Sequence, residues 1–314
     1  MRIAFVFPGQ GSQSIGMMTS FAQLPGVRST FSEASDAIGQ DLWKLVEEGP
    51  EDDLKLTVNT QPVMLAAGTA LHRAWNAQNG MQPAILAGHS LGEYSALVAG
   101  GAIDFADAMS LVRFRAQAMQ EAVPEGTGAM GAILGLDDEV VKAICVEASS
   151  KDETAEAANF NTPAQVVIAG NTNAVARAME IAKVKGAKRA IILPMSAPSH
   201  CSLMRPAVDR LRERLASTDI RPTRIPVLHN ADVRSADSVE AIRDALIRQL
   251  CQPVRWVETI RAMAATGVTH FVECGPGKVL AGLHKRIAPE VPVYSFADEP
   301  AFKQALADLK AREN

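Results

Sequence analysis

At 314 residues, 47% hydrophobic and 21% charged, the chain has the composition of a folded globular protein with room for one large domain and an inserted small one, which excludes extended disorder. A net charge of −4, with no basic run interleaved with aromatics, argues against nucleic acid or a membrane surface as partner. Ile3 to Phe7 is too short for a signal core, no apolar run is long enough for a bilayer span, and four cysteines without C-x-x-C spacing read as reduced thiols, so the expected location is the cytoplasm.

Arg2 to Phe7 reads as a buried strand, and Pro8 to Gln13 as the loop leaving it. Gly9 and Gly11 supply two glycines of a dinucleotide fingerprint, but the third is missing. The loop is therefore read as a tight turn that brings Gln10 to a site at the strand ends. From Met17 to about Glu48 the pattern is helical and broken. Thr60-Gln61-Pro62 then precedes a long apolar helix to about Asn79.

Next, Ala84 to Gly88 forms a short apolar run that meets Gly88-His89-Ser90-Leu91-Gly92, followed by a helical pattern. This is the sequence of a nucleophile elbow. Glycines stand where a Cβ would collide, the serine hydroxyl is thrust into the open, and the N–H groups after it face a developing oxyanion. Asp104 is the expected N-cap of a helix to about Val123. At 100° per residue, Ala108, Leu111, Val112, Met119 and Ala122 share a stripe with Arg115, while Arg113 lies opposite. An inward-facing arginine must meet an anion. Both an internal Asp or Glu and a substrate carboxylate satisfy that requirement.

From residue 125 the order is strand (Gly128 to Leu136), helix (Asp137 to Ser149), two strands joined by Asn161-Thr162-Pro163-Ala164, helix (Asn171 to Gly186) and strand (Lys188 to Leu193). That β-α-β-β-α-β order is ferredoxin-like, and flanking Pro124 and Pro194 to Pro198 mark it as an insertion whose edge lines a cleft. The expected division is 1–124 with 197–314 for the large domain and 125–196 for the small one.

His200 lies in the proline-restrained loop that re-enters the large domain. There it can face Ser90 as an exposed base, the partner a serine hydroxyl needs near neutral pH. His72, His89, His229, His270 and His284 read as packed or surface residues. No clustered Cys/His spacing suggests a metal. Pro226 to Asn230 and Thr269 to Glu273 read as strands, with a helix from Val239 to Leu250. Gln249, close to Pro253, offers a carbonyl that can orient a histidine. Gly275-Pro276-Gly277-Lys278 lacks Walker A spacing and reads as a turn into a helix from Leu280 to Ile287.

Taken together, Phe7-Pro8-Gly9-Gln10-Gly11-Ser12-Gln13, Thr60-Gln61-Pro62, Gly88 to Tyr94, Phe160-Asn161-Thr162-Pro163, Pro198-Ser199-His200 and Gly275-Pro276-Gly277 resemble the malonyl-CoA:acyl carrier protein transacylases of bacterial fatty-acid synthesis. The resemblance runs through essentially the whole chain. It implies an α/β fold, a hydrolase-like core with a parallel sheet interrupted by the ferredoxin-like subdomain, with the site between the two. It further implies Ser90 as nucleophile, His200 as base, the Gln249 carbonyl in place of a triad acid, the N–H groups of Gln10 and Leu91 as oxyanion hole, and Arg115 on the malonyl carboxylate. Gln61, His89 and Asn161 would line the pocket. The implied reaction uses malonyl-CoA as substrate and an acidic acyl carrier protein as acceptor, without cofactor or metal. Lys188, Arg189, Lys285 and Arg286 are candidate rim charges for that partner. The rival readings are a serine thioesterase or esterase with Asp137 or Asp152 as its acid, and a malonyl transferase serving polyketide or malonate metabolism.

Overall fold

The computed structural model describes residues 1–194 and 197–312. Met195 and Ser196, where the sequence reading ends the inserted module, lie outside the described residues. Among those described, the strands are β1 (Ile3–Phe7), β2 (Ile85–Gly88), β3 (Gly128–Leu134), β4 (Ala155–Thr162), β5 (Gln165–Asn171), β6 (Arg189–Leu193), β7 (Val227–Leu228), β8 (His270–Glu273) and β9 (Val293–Ser295).

The first sheet has the order β7-β2-β1-β8-β9 and is parallel throughout. Its central strands are continuous apolar runs because helices cover both faces, and every residue of β1 is buried. Phe7 pairs with Gly88, and Val6 with Glu273. The carboxyl ends of β1, β2 and β8 therefore finish side by side, and the loops leaving them converge. Phe5, Trp75, Phe296 and Phe302 interlock beneath that edge, with Phe5 and Trp75 centroids 5.5 Å apart.

The second sheet has the order β4-β5-β3-β6, with every neighbouring pair antiparallel. This is the strand order of a ferredoxin-like unit. The helices Asp138–Ala148 and Thr172–Val184 bury Val141, Ile144 and Val175 with Ile133, Val166 and Ile168 of the sheet. The opposite face places Met130, Ala132, Val167 and Ala169 in a cluster with Cys201, next to the candidate base. A second link is the bridge between β4 and Val254, where Phe160 N donates to Val254 O at 2.9 Å and Val254 N to Ala158 O at 2.9 Å. The small sheet is thereby tied to the large domain at the rim of the cleft.

Several boundaries differ from the sequence reading. The long helix is Thr57–Ala77, so Thr60-Gln61-Pro62 lies inside it. Pro62 removes one hydrogen bond, but every residue from Gln61 to Ala70 is buried, and that burial holds the helix through it. Asp104 occupies the N-cap position without a cap bond, because its carboxylate pairs with Arg221 at 2.7 Å. Asn161 and Thr162 belong to β4, which leaves Pro163 and Ala164 as the turn, with Ala164 at φ +61°. The strand expected at Pro226 to Asn230 is only Val227–Leu228, since His229 and Asn230 turn toward the elbow. The helices Trp256–Ala265 and Glu299–Ala311 and the three-residue β9 lie outside that reading. A strand of three residues is too short to show periodicity.

The turn at Gly275 to Lys278 is closed from inside. Glu273 accepts from Leu280 N at 3.0 Å and Ala281 N at 2.8 Å, so a protein carboxylate takes the helix N-terminus that a phosphate would need. Burial raises the pKa of that carboxyl to about 7.

The elbow glycines are fixed by space. A Cβ on Gly88 would lie 1.8 Å from Gly92 C, and one on Gly92 would lie 2.0 Å from Phe7 O. Both neighbours are backbone and cannot rotate away. Gly88→Ala is therefore expected to destabilise the fold by about 3 kcal/mol or more. A lowered urea midpoint is the readout, and an unchanged midpoint contradicts the packing argument.

Candidate active site

The turn after β2 holds Ser90 at φ +53°, a conformation that costs a residue with a side chain on the order of 1–3 kcal/mol. Asn230, arriving from the end of β7, stabilises it. Its Oδ1 accepts from Ser90 N at 2.7 Å and its Nδ2 donates to Gly88 O at 2.7 Å. That clamp consumes the Ser90 N–H. The N–H groups of Leu91 and Gln10 have no hydrogen-bond partner among the described residues, so they remain free to bind an oxyanion. The loop bearing Gln10 passes directly over the turn, since a Cβ on Gly9 would lie 2.4 Å from His89 O and 3.6 Å from Leu91 N. The Gly275 turn presses on Pro8 from the other side and fixes that approach.

His200 reaches Ser90 from the opposite wall, with Nε2 2.7 Å from Ser90 Oγ and Nδ1 2.8 Å from the main-chain oxygen of Gln249. The acceptor is available for a covalent reason. In a continuing helix the Gln249 carbonyl would bond to the N–H four residues on, but that residue is Pro253, which has none. Contrary to the expectation of an exposed base, His200 is only 2% exposed. The small sheet covers its loop, and Glu156 of β4 accepts from Ser202 N at 3.2 Å just beyond it. Burial, reinforced by the Arg115 charge, lowers the His200 pKa to about 3, although the Gln249 carbonyl acts in the other direction. The imidazole is therefore neutral at physiological pH, and with Nδ1 donating to Gln249 its Nε2 is the acceptor that faces the Ser90 hydroxyl. His200 itself sits at φ +63°, so both members of the dyad occupy strained backbone.

Arg115 points inward and is 1% exposed. Of the two anions the sequence left open, the internal carboxylate is absent: Arg115 forms no ion pair among the described residues. Its Nη1 donates to Gln61 Oε1 and its Nη2 to the side-chain Oε1 of Gln249, each at 2.8 Å, while Nε has no partner. The guanidinium lies over the Tyr94 ring at 5.3 Å. Burial draws its pKa below the ordinary guanidinium value, yet arginine stays protonated in proteins. A buried cation held by neutral acceptors is an incomplete pair. Arg113, expected on the opposite face, is half-buried against Gln40 and Asn59.

These groups meet in one cavity of about 60 Å³, lined by Gln10, Gln61, His89, Ser90, Arg115 and His200 among others. It shares Gln10, His89 and Asn159 with an outer cavity of about 340 Å³, whose walls include Met130, Val167 and Leu193 of the small sheet. Asn161 Oδ1 lies 2.8 Å from His89 Nε2, and the His89 ring packs edge-on against Trp256 at 5.3 Å. Burial lowers the His89 pKa, against the Asn161 hydrogen bond, which raises it.

The Acyl transferase domain family model matches residues 4–299. The malonyl CoA-acyl carrier protein transacylase of Escherichia coli K12 is 52% identical over 309 residues, covering 98% of this chain and 99% of that one. The Bacillus subtilis protein of the same name is 43% identical over 310 residues, 98% of each. The chain belongs to the malonyl-CoA:acyl carrier protein transacylase family. Its fold superposes on an acyl-carrier-protein S-malonyltransferase from Burkholderia pseudomallei with a TM-score of 0.95 at 59% identity, covering 98% of this chain and 100% of that one. A malonyl-transacylase in complex with a type II PKS acyl-carrier protein superposes at 0.96 with 49% identity, over 98% of this chain and 100% of that one.

In this transacylase fold the nine residues expected from the sequence, Gln10, Gln61, His89, Ser90, Leu91, Arg115, Asn161, His200 and Gln249, all lie at or beside the two cavities. Three features escaped the sequence reading. Gln249 contributes its side chain as well as its carbonyl, Asn230 clamps the elbow, and Lys55 lines the outer cavity. His229-Asn230 following a β-run at a sheet end was the available signal for Asn230. Lys188, Arg189, Lys285 and Arg286 are exposed as expected, but the cavity walls are formed by other residues. Arg286 donates to Gln165 of β5 at 3.1 Å. Neither Asp137 nor Asp152, proposed as the acid of a hydrolase triad, contacts His200, whose Nδ1 faces Gln249.

Proposed function

We propose that this chain transfers the malonyl group of malonyl-CoA to the phosphopantetheine thiol of acyl carrier protein through a malonyl-Ser90 intermediate. One observation carries the reading: Ser90 and His200 stand 2.7 Å apart in a cavity that also contains Arg115, a buried cation that forms no ion pair among the described residues. Ser90 Oγ attacks the thioester carbonyl while His200 Nε2 takes its proton. The N–H groups of Leu91 and Gln10 hold the oxyanion, and coenzyme A leaves as the thiol with the proton from His200. The carrier thiol repeats the sequence in reverse. One thioester is exchanged for another, so the transfer is close to balanced and reversible.

Arg115 grips the malonyl carboxylate and keeps the acyl chain ordered, and the narrow inner cavity limits access of water to the ester. The apolar wall of the outer cavity accommodates the pantetheine arm. The reaction needs no cofactor or metal. We place it in fatty-acid synthesis and in the cytoplasm, the location being supported by the four free cysteines. An acyl-enzyme that hydrolyses slowly separates this reading from a thioesterase.

The decisive experiment is intact-mass analysis after incubation with malonyl-, methylmalonyl- or acetyl-CoA, with and without carrier protein. A malonyl adduct is expected that is absent from Ser90→Ala and is discharged by carrier protein. Release of free malonate faster than loading of carrier would establish a hydrolase instead.

A further inference from the structure

Gln249 is fully buried and makes contacts of opposite polarity at the two ends of its side-chain amide. Its Oε1 accepts from Arg115 Nη2 at 2.8 Å. Its Nε2 donates to Ser90 O at 3.0 Å and to Glu93 Oε2 at 2.9 Å. The two ends of an amide have nearly the same shape, so only the partners decide which way it points. Reversed, the oxygen would face two acceptors and the NH2 would face a guanidinium, which has donors only.

Glu93 is the charged member of that set, and a carboxylate acceptor makes a hydrogen bond roughly twice as strong as a neutral one. It is the residue after the last elbow glycine and is itself fully buried. His229 Nδ1 donates to its Oε1 at 2.7 Å and Asn230 N to its Oε2 at 2.9 Å, so the carboxylate is immobilised from the end of β7. Burial works against a charge on His229, but Glu93 beside it lifts its pKa above the ordinary value.

We infer that Glu93 is a positioning residue for acyl-group selection: by fixing the Gln249 amide it presents an oxygen to Arg115 and leaves the guanidinium without a direct carboxylate. The same glutamine carries the main-chain oxygen that orients His200, so one residue supplies acceptors to both Arg115 and the base. A carboxylate in direct contact with Arg115 would satisfy the cation and repel a malonyl carboxylate. Glu93 stands one residue behind it: its charge favours the guanidinium from a distance but occupies none of its N–H groups.

This inference rests on the reading of Arg115 as the malonyl-binding group, and the test separates the two. Ser90 acylation by malonyl-CoA and by acetyl-CoA is followed by intact mass in the parent chain and in Glu93→Leu, Glu93→Gln and Glu93→Asp, with melting temperatures measured alongside. Glu93→Leu is expected to lower the malonyl-to-acetyl rate ratio by about tenfold or more, because no side-chain acceptor then stands within reach of the Gln249 Nε2 to hold the amide. Glu93→Gln keeps an oxygen at the same reach, with His229 in its other tautomer, and should hold the ratio within about threefold of the parent. Glu93→Asp keeps the charge but draws the oxygen back, and should lower the ratio by roughly tenfold. Where Glu93→Leu does not fold, the Gln and Asp pair decides alone. A ratio unchanged in Glu93→Asp, or lowered more in Glu93→Gln than in Glu93→Asp, overturns the inference. A parent chain that is not malonylated overturns the proposed function instead.

Discussion

Arg115→Ala is expected to slow malonylation of Ser90 by about 10²–10³-fold while leaving acetylation within about tenfold of the parent rate. The asymmetry follows from what the guanidinium contacts. Its protein partners are the neutral oxygens of Gln61 and Gln249, so removing it breaks no ion pair among the described residues. A malonyl group, in contrast, would lose a bidentate partner for a carboxylate brought into a buried site. The Arg115 charge is also one of the causes that lower the His200 pKa. Its loss leaves the base more basic, and acetyl transfer is therefore spared. Loading rates from both CoA esters test this. Equal losses with the two donors would show that Arg115 serves the fold rather than the substrate.

His200→Ala should reduce acylation by on the order of 10²–10⁴-fold, the range of a positioned general base. The depressed pKa also fixes the pH dependence. With a folded value of about 3, His200 is neutral from pH 8 down to about 4, so kcat/KM for malonyl-CoA should show no fall centred near 6.5. Stability follows the same sign. The unfolded chain takes up the proton near 6.5 and the folded chain resists it to about 3, so this contribution is fully present above 6.5 and is lost as pH falls toward 3. His72, lowered to about 4, and His89, also lowered by burial, behave alike, so the difference between parent and variant isolates His200. Urea unfolding at several pH values should show the parent losing stability relative to His200→Ala as the solution is acidified. A constant difference between pH 7 and pH 4 would contradict the buried, neutral base.

The amino-acid order by itself determined the parts of this protein governed by local chemistry. Gly88-x-Ser90-x-Gly92 requires the elbow because a Cβ at either glycine meets backbone. The β-α-β-β-α-β order leaves a small two-layer unit few other ways to bury its apolar faces. The helical stripe turned Arg115 inward, and Pro253 released the Gln249 carbonyl.

The tertiary structure decided what depends on groups distant in the chain. Whether Arg115 meets a carboxylate was open on periodicity alone, because the answer lies with Gln61, 54 positions away, and Gln249, 134 away. The burial of His200 is not visible from its own loop, because its cover is the open face of a sheet whose strands precede it in the chain. Glu93, His229, Asn230 and Gln249 read locally as an ordinary helix start, a strand end and a helix tail. They become one network only where the parallel strands end together, and the low dielectric of that closed space gives each contact its weight.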